Sequence, residues 1–184
     1  MELSAVYKCM EELREVVNSR DVLEELTKDQ RKRQQLWASM DVIEDTDAAI
    51  AAYQRLQDVR DEGCLYLIVY GILQVLFVQQ DAIRHTAEAV GFDYECPPEL
   101  HQIREIRNCA IGHPTKRERK DRESFGIIRG SLSHEGFTLY RFDYEHDMPS
   151  VDVNLPKLID EQICQTCKAI VGIVGHLRQA YGQL

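Results

Sequence analysis

The chain has 184 residues, of which 44% are hydrophobic and 29% are charged, and its 22 Lys and Arg residues face 31 Asp and Glu residues for a formal net charge of -9. This is the composition of one globular domain that can bury a core without disulfides, so collagen-like, disordered and disulfide-framework chains are excluded. The acidic balance argues against a general nucleic-acid coat or a membrane-surface protein, because both need long-range attraction to phosphate groups. A local basic site remains compatible with it.

The N-terminal residues carry charges of both signs and lack the apolar stretch of a secretory signal, which predicts a cytoplasmic protein. We expect the six cysteines to be reduced thiols. Cys164 and Cys167 form a C-x-x-C pair, but no second pair at zinc-binding spacing accompanies them. The sequence therefore predicts no metal and no cofactor.

Helical periodicity begins near the N-terminus, with apolar residues recurring at intervals of three and four over 3–17. A second, more polar helical stretch covers 21–40, so residues 1–40 are predicted to form an N-terminal helical extension. The Asp-Thr-Asp sequence at 45–47 is typical of a helix cap and predicts a separate Ala-rich helix over 48–60.

The most apolar segment of the chain covers residues 64–78. It is interrupted by Gly71 and Gln74 and is shorter than the roughly 20 apolar residues of a membrane span. It is therefore predicted to be the central core helix, with no membrane partner, and to continue amphipathically until Gly91 ends it.

In the last third of the sequence, the spacing of the apolar residues changes twice, from helical to strand-like and back to helical. A helix is predicted over 99–111, a β-hairpin insertion over 124–146, and a final long helix from Asn154 onward. Gly172 and Gly175 inside that helix indicate either close approach by a neighbour or a tolerated imperfection. The predicted fold class is all-α: a single domain over 1–184, an up-and-down helical bundle with a small β-hairpin before the last helix.

Charge is unevenly distributed along this chain. Residues 101–130 hold eight basic and four acidic residues, a net charge of +4, whereas the remainder carries -13. A basic island on an acidic protein favours local phosphate binding over promiscuous attraction. The interleaved run at 116–123 is, taken alone, more typical of a solvated loop than of a binding site.

The end of the helix predicted over 99–111 reads Arg107-Asn108-Cys-Ala-Ile-Gly-His113-Pro. Here the sequence resembles the HEPN superfamily, whose ribonuclease members carry an arginine, usually followed by a polar residue, and a histidine after four to six intervening residues. Arg107, Asn108 and His113 match that pattern with five intervening residues. The resemblance implies a helical domain that cleaves RNA without a metal ion.

The chemistry of these residues is compatible with that activity. The residue before a proline disfavours helical geometry, so His113 is expected to leave the helix while Arg107 stays on it. An imidazole titrates near neutral pH and can transfer a proton when the ribose 2′-hydroxyl attacks the adjacent phosphate. A guanidinium binds phosphate and can stabilise the charge that develops there. The predicted catalytic residues are Arg107 and His113, with Asn108 supporting them. The predicted RNA-binding residues are Arg104, Lys116, Arg117, Arg119 and Lys120.

One arginine and one histidine are a sparse site, and the resemblance implies a homodimer that brings two motifs around a shared cleft. If the helices over 64–90 and 99–111 pack antiparallel, Gln79, Gln80 and Asp81 are candidates to orient the motif, although they fit ordinary surface positions equally well. A toxin-antitoxin or defence setting would add an inhibitory protein partner. One variety of toxin, which a partner enzyme modifies, carries Tyr two positions after the motif histidine. Position 115 is Thr in this sequence, which argues against that variety.

Two alternatives stay open. The first is a non-catalytic HEPN-like module that binds a nucleotide, RNA or a protein partner, in which Arg107 only caps the helix or holds a phosphate. The second is a purely structural bundle that dimerises through its glycine-bearing last helix.

Overall fold

The computed structural model describes residues 4–56, 58–112, 114, 123–143 and 150–182. Within them the chain forms six α-helices and one antiparallel sheet, which confirms a mostly helical fold with a small β element before the last helix. The helices are α1 Ala5–Val17, α2 Arg20–Leu26, α3 Gln30–Arg55, α4 Glu62–Val90, α5 Pro98–Arg107 and α6 Leu155–Tyr181. The strands are β1 Glu123–Ile127, β2 Gly136–Asp143 and β3 Ser150–Asn154.

Short polar side chains fix where the long helices begin. Asp29 accepts hydrogen bonds from the first backbone amides of α3, Asp61 from Cys64 in α4, and Asn154 from Lys157 in α6. Each such cap contributes about 1 kcal/mol. The cap at Asp29 also divides the stretch predicted as one helix over 21–40 into α2 and α3.

α3 is one continuous helix of 26 residues, so the break predicted at 45–47 is wrong. The hydroxyl of Thr46 donates to the carbonyl oxygen of Val42 in the preceding turn, at 2.7 Å, instead of capping a new helix. Asp47 is buried within α3 and accepts a hydrogen bond from the Ser4 hydroxyl. Thr46 is therefore satisfied inside the helix, and Asp47 against the start of α1.

The core has two parts. The first packs α1, α2 and the first half of α3 against the C-terminal halves of α4 and α6, and the second packs the rest of α3, the first half of α4, α5 and the sheet against the start of α6. The boundary predicted at residue 40 lies inside α3, and α1 and α2 belong to the first part. The largest fully buried side chains are Met10, Leu13, Leu36, Met40, Ile43, Ile50, Leu73, Leu76, Ile83, Leu100, Ile103 and Leu155.

α4 is the central helix and, by length and composition alone, it is the one described helix that could cross a membrane. It contacts α3, α5 and α6, and Gly91 ends it in the left-handed conformation at φ 73°, as predicted. A core helix packed by other helices meets the same length and composition criteria.

The predicted two-stranded hairpin is incomplete. β1 pairs antiparallel with β2, and a third strand, β3, pairs antiparallel with the other edge of β2. The short β3 carries one buried residue, Val153, and runs directly into α6. Phe137, Leu139 and Val153 face the core. The backbone amide of Phe125 donates to the carbonyl oxygen of Pro114 at 2.6 Å, so β1 is held against the end of the segment that follows α5.

The two glycines of α6 have different surroundings. A Cβ at Gly172 would lie 3.1 Å from the Phe92 ring, whereas one at Gly175 would meet no described atom within 4 Å. The absence of a side chain at Gly172 therefore allows the Phe92 ring to lie close to the backbone of α6.

Four polar side chains are buried between α4 and α6. Gln80 donates to Gln162 at 2.9 Å, Gln162 donates to Gln79 at 2.9 Å, and Thr166 donates to Gln79 at 3.2 Å. Since buried amides without partners are costly, these four residues, the glutamine network, fix how α6 sits on α4.

We expect Gln162→Leu to lower the free energy of unfolding by about 2–3 kcal/mol, because it leaves the Gln79 and Gln80 amides buried with fewer partners. Urea denaturation measures the change. Gln179→Leu is the matched control on an exposed position of the same helix and should stay within about 0.5 kcal/mol of the wild type. Equal effects of the two substitutions would contradict the structural role of the network.

Candidate functional site

Arg107 ends α5, and its guanidinium lies against α4. Its Nε and Nη2 donate to the same side-chain oxygen of Gln74, at 3.2 and 2.8 Å, and its Nη1 donates to Asn108 Oδ1 at 3.0 Å. The guanidinium carbon lies 4.3 Å from the centre of the Phe77 ring. Among the described residues no carboxylate pairs with Arg107, so neutral amides and a ring fix the position of a full positive charge.

The five residues after α5, Asn108–Gly112, form a π-helical turn. A Cβ at Gly112 would lie 2.7 Å from Nη1 of Arg107 and 3.3 Å from Oδ1 of Asn108. Glycine therefore allows the guanidinium to pass close to the backbone of this turn. Single π turns within helices are frequent at functional sites.

Arg104 lies one helical turn before Arg107 on the same seam between α4 and α5. Its Nη1 is 3.0 Å from Asp81 Oδ1 and 3.5 Å from the side-chain oxygen of Gln80. Its guanidinium carbon is 4.1 Å from the centre of the Phe77 ring, so one aromatic ring contacts both arginines. Cation–π contact favours both positions without neutralising either charge.

The residues predicted to orient the motif have other roles in the structure. Gln80 and Asp81 contact Arg104 rather than Arg107, and Gln79 belongs to the glutamine network. The antiparallel packing is as expected, but Arg107 lies opposite Gln74, about two turns from the predicted neighbours. The register depends on the path of the connection between α4 and α5, which residue spacing does not specify.

Sequence reasoning missed Gln74 and Phe77 as partners of the motif. Gln74 interrupts the most apolar segment of the chain, and that single polar position was the available signal. Phe77 gives no such signal, because an aromatic residue one turn later fits an ordinary core helix.

Most of the predicted site lies outside the described residues. His113, Lys116, Arg117, Arg119 and Lys120 belong to that group. The structure brings together Arg104, Arg107 and Asn108.

The C-x-x-C pair lies on α6 with both thiols free, Cys164 exposed and Cys167 partly buried. Burial, with Cys9 nearby, raises the pKa of Cys167 to about 12. Within the described ranges, no group of three or more His, Cys, Asp or Glu side chains is arranged to hold a metal ion.

Two fixed guanidinium groups on one seam are suited to binding an anion. Guanidinium binds phosphate oxygens through paired N–H donors, and its fixed orientation lowers the entropy lost on binding.

Comparison of the chain with protein-family models, with curated proteins and with solved structures found no match.

We expect Gly112→Ala to lower the free energy of unfolding by about 1 kcal/mol, because the new methyl group displaces the Arg107 guanidinium from Asn108. In an Arg107→Ala background the same substitution should cost nothing or stabilise the protein, since alanine then only reduces the freedom of the unfolded chain. Urea denaturation of the four proteins gives the coupling energy.

Gly71→Ala is the matched control, because a Cβ there meets no described atom within 4 Å. It should stabilise by about 0.5–1 kcal/mol in both backgrounds. An equal cost of Gly112→Ala with and without Arg107 would contradict the contact.

Proposed function

We propose that this protein is a metal-independent endoribonuclease of the HEPN type, with an up-and-down helical bundle as its framework. Arg107 and His113 are its catalytic residues, and Asn108 positions Arg107. The observation that supports the proposal best is that no described carboxylate compensates the charge of Arg107, since its described hydrogen-bond partners are the neutral amides of Gln74 and Asn108. In sequence it stands six positions before His113.

In the proposed reaction the 2′-oxygen of a ribose attacks the adjacent phosphorus and the bond to the 5′-oxygen breaks. The products are a 2′,3′-cyclic phosphate and a 5′-hydroxyl. His113 transfers protons, taking one from the 2′-hydroxyl or giving one to the leaving oxygen. Arg107 stabilises the additional negative charge of the phosphorane-like transition state. Because the nucleophile is the 2′-hydroxyl, the substrate is RNA and not DNA.

The RNA-binding surface in this proposal consists of Arg104 and the basic segment that follows His113. Arg104 contributes a second guanidinium on the seam between α4 and α5. Lys116, Arg117, Arg119 and Lys120 extend the positive charge along the sequence, within the 30 residues of net charge +4. The acidic remainder of the chain limits binding elsewhere.

We further propose a homodimer, in which the second motif supplies the acid or base that one histidine does not. An exposed apolar strip on α4 favours this assembly: Leu67 is 74% exposed and Tyr70 is 42% exposed, and Gln74 follows Tyr70 by one turn. Exposed large apolar side chains in line with a site are typical of an interaction surface. A cytoplasmic toxin-antitoxin or defence setting, with an inhibitory protein partner, is the biological context we propose.

A non-catalytic module that binds RNA, a nucleotide or a protein partner is the second candidate. It is favoured by the hydrogen bonds of Arg107, because Nε, Nη1 and Nη2 each donate to a side chain of the same chain. An arginine used in this way can hold the end of α5 against α4 without any chemistry.

We expect the wild-type protein to cleave single-stranded RNA in the presence of EDTA. Arg107→Ala and His113→Ala should each lower the single-turnover rate by a factor of about 100 or more. A 2′-deoxy substitution at the cleaved position should abolish the reaction, and the products should carry 2′,3′-cyclic phosphates. Mass spectrometry and a fluorophore-quencher assay measure these outcomes.

Arg178→Ala serves as the control, because Arg178 pairs with Glu12 on a different part of the surface. It should leave the rate unchanged. A wild-type protein inert on varied RNAs would contradict the proposal, and binding without turnover in both the wild type and His113→Ala would favour the second candidate.

A further inference from the structure

We infer that Arg84 and Arg104 form a second phosphate subsite beside Arg107, which binds a phosphate flanking the bond that is cleaved. This inference rests on the proposed function and adds the size of the substrate: an RNA with at least two phosphates. It comes from the contacts of Asp81, Phe77 and Gln80 on α4.

One carboxylate oxygen of Asp81, on α4, contacts two arginines. Oδ1 of Asp81 is 3.0 Å from Nη1 of Arg104 and 3.6 Å from Nη2 of Arg84. With Arg107, which has no carboxylate partner among the described residues, three guanidinium groups share a single negative charge. Among the described residues, two positive charges at this place are therefore not balanced by a carboxylate, on a chain whose total charge is -9.

The order of contacts places this charge along the seam between α4 and α5. Arg107 and Arg104 contact the same Phe77 ring, and Arg104 and Arg84 contact the same Asp81 oxygen. The arginines therefore extend from the end of α5 toward its start, away from the residue that leads to His113. A phosphate held at Arg84 and Arg104 would lie next to the one at Arg107.

Arg104 is held in place by the interior of the protein. The side-chain nitrogen of Gln80 donates to Gln162, so its oxygen is directed to Arg104. Gln162 in turn bonds to Gln79 within the buried glutamine network. A guanidinium held by a buried network loses little freedom when it binds an anion.

A further hydrogen-bond donor lies near the same cluster. The hydroxyl of Tyr94 is buried and has no hydrogen-bond partner among the described residues. Burial raises its pKa to about 12, while the nearby charge of Arg104 opposes that rise, so the phenol stays protonated at neutral pH. Tyr94 is thus a hydrogen-bond donor near Arg104 and adds no negative charge there.

A structural ion-pair network explains these contacts less well. In the other described ion pairs of arginine, carboxylates match or outnumber the arginines: Arg14 pairs with both Asp41 and Glu44, and Arg178 pairs with Glu12. Like charges brought together on one seam repel each other, and a bound phosphate removes that repulsion.

The experiment measures binding of 2′-O-methyl dinucleotides, which cannot be cleaved because they lack the 2′-hydroxyl. Three probes are compared by calorimetry: a dinucleoside monophosphate, the same molecule with a 5′-phosphate, and the same molecule with a 3′-phosphate. In the wild type one of the two added phosphates should tighten binding about tenfold. That gain should disappear in Arg104→Gln and fall at least threefold in Arg84→Gln.

Arg178→Gln is the matched control, because it removes the same charge at a distance and should keep the gain. Arg84 is 56% exposed, so Arg84→Gln stays informative if Arg104→Gln disturbs folding. A gain that persists in both variants, or no gain from either added phosphate in the wild type, would overturn the subsite. A gain that persists in a protein without any RNA cleavage would refute the proposed function and leave the subsite standing.

Discussion

The polar side chains of α4 are the constraint on which the rest of the structure depends. This helix is the most apolar segment of the chain, yet it carries Gln74, Gln79, Gln80 and Asp81 at positions covered by other helices. An amide or carboxylate removed from water must find partners. α5 supplies arginines to one side and α6 supplies Gln162 to the other, so the same four residues determine how both helices dock.

Local signals predicted most of the helices, because caps and stops act within a few residues. Gly91 and Asn154 are such signals, and each stands where it was expected. The Asp-Thr-Asp sequence at 45–47 misled because a cap and a buried polar pair use the same residue types, and only tertiary packing distinguishes them. β3 was missed because five residues with one buried side chain, Val153, leave almost no alternating pattern. Its partner strand β2 is what stabilises it.

The candidate site was predictable only in part, for a physical reason. A motif along one helix can be found from spacing, as Arg107 and Asn108 were, whereas the partners across the seam depend on helix register. Gln74 became recognisable only once α5 had been placed. Its significance follows from a contrast: Glu44 and Asp41 raise the pKa of Arg14 and compensate its charge with theirs, whereas the described hydrogen-bond partners of Arg107 are neutral amides, which leave its charge uncompensated.

The backbone amide of Phe125 and the carbonyl oxygen of Pro114, which lie on either side of the basic segment in the sequence, are joined by a hydrogen bond of 2.6 Å. This contact uses backbone atoms only, so the side chains at positions 114 and 125 do not determine it. The positions of the arginines on α5, in contrast, depend on particular side chains of α4.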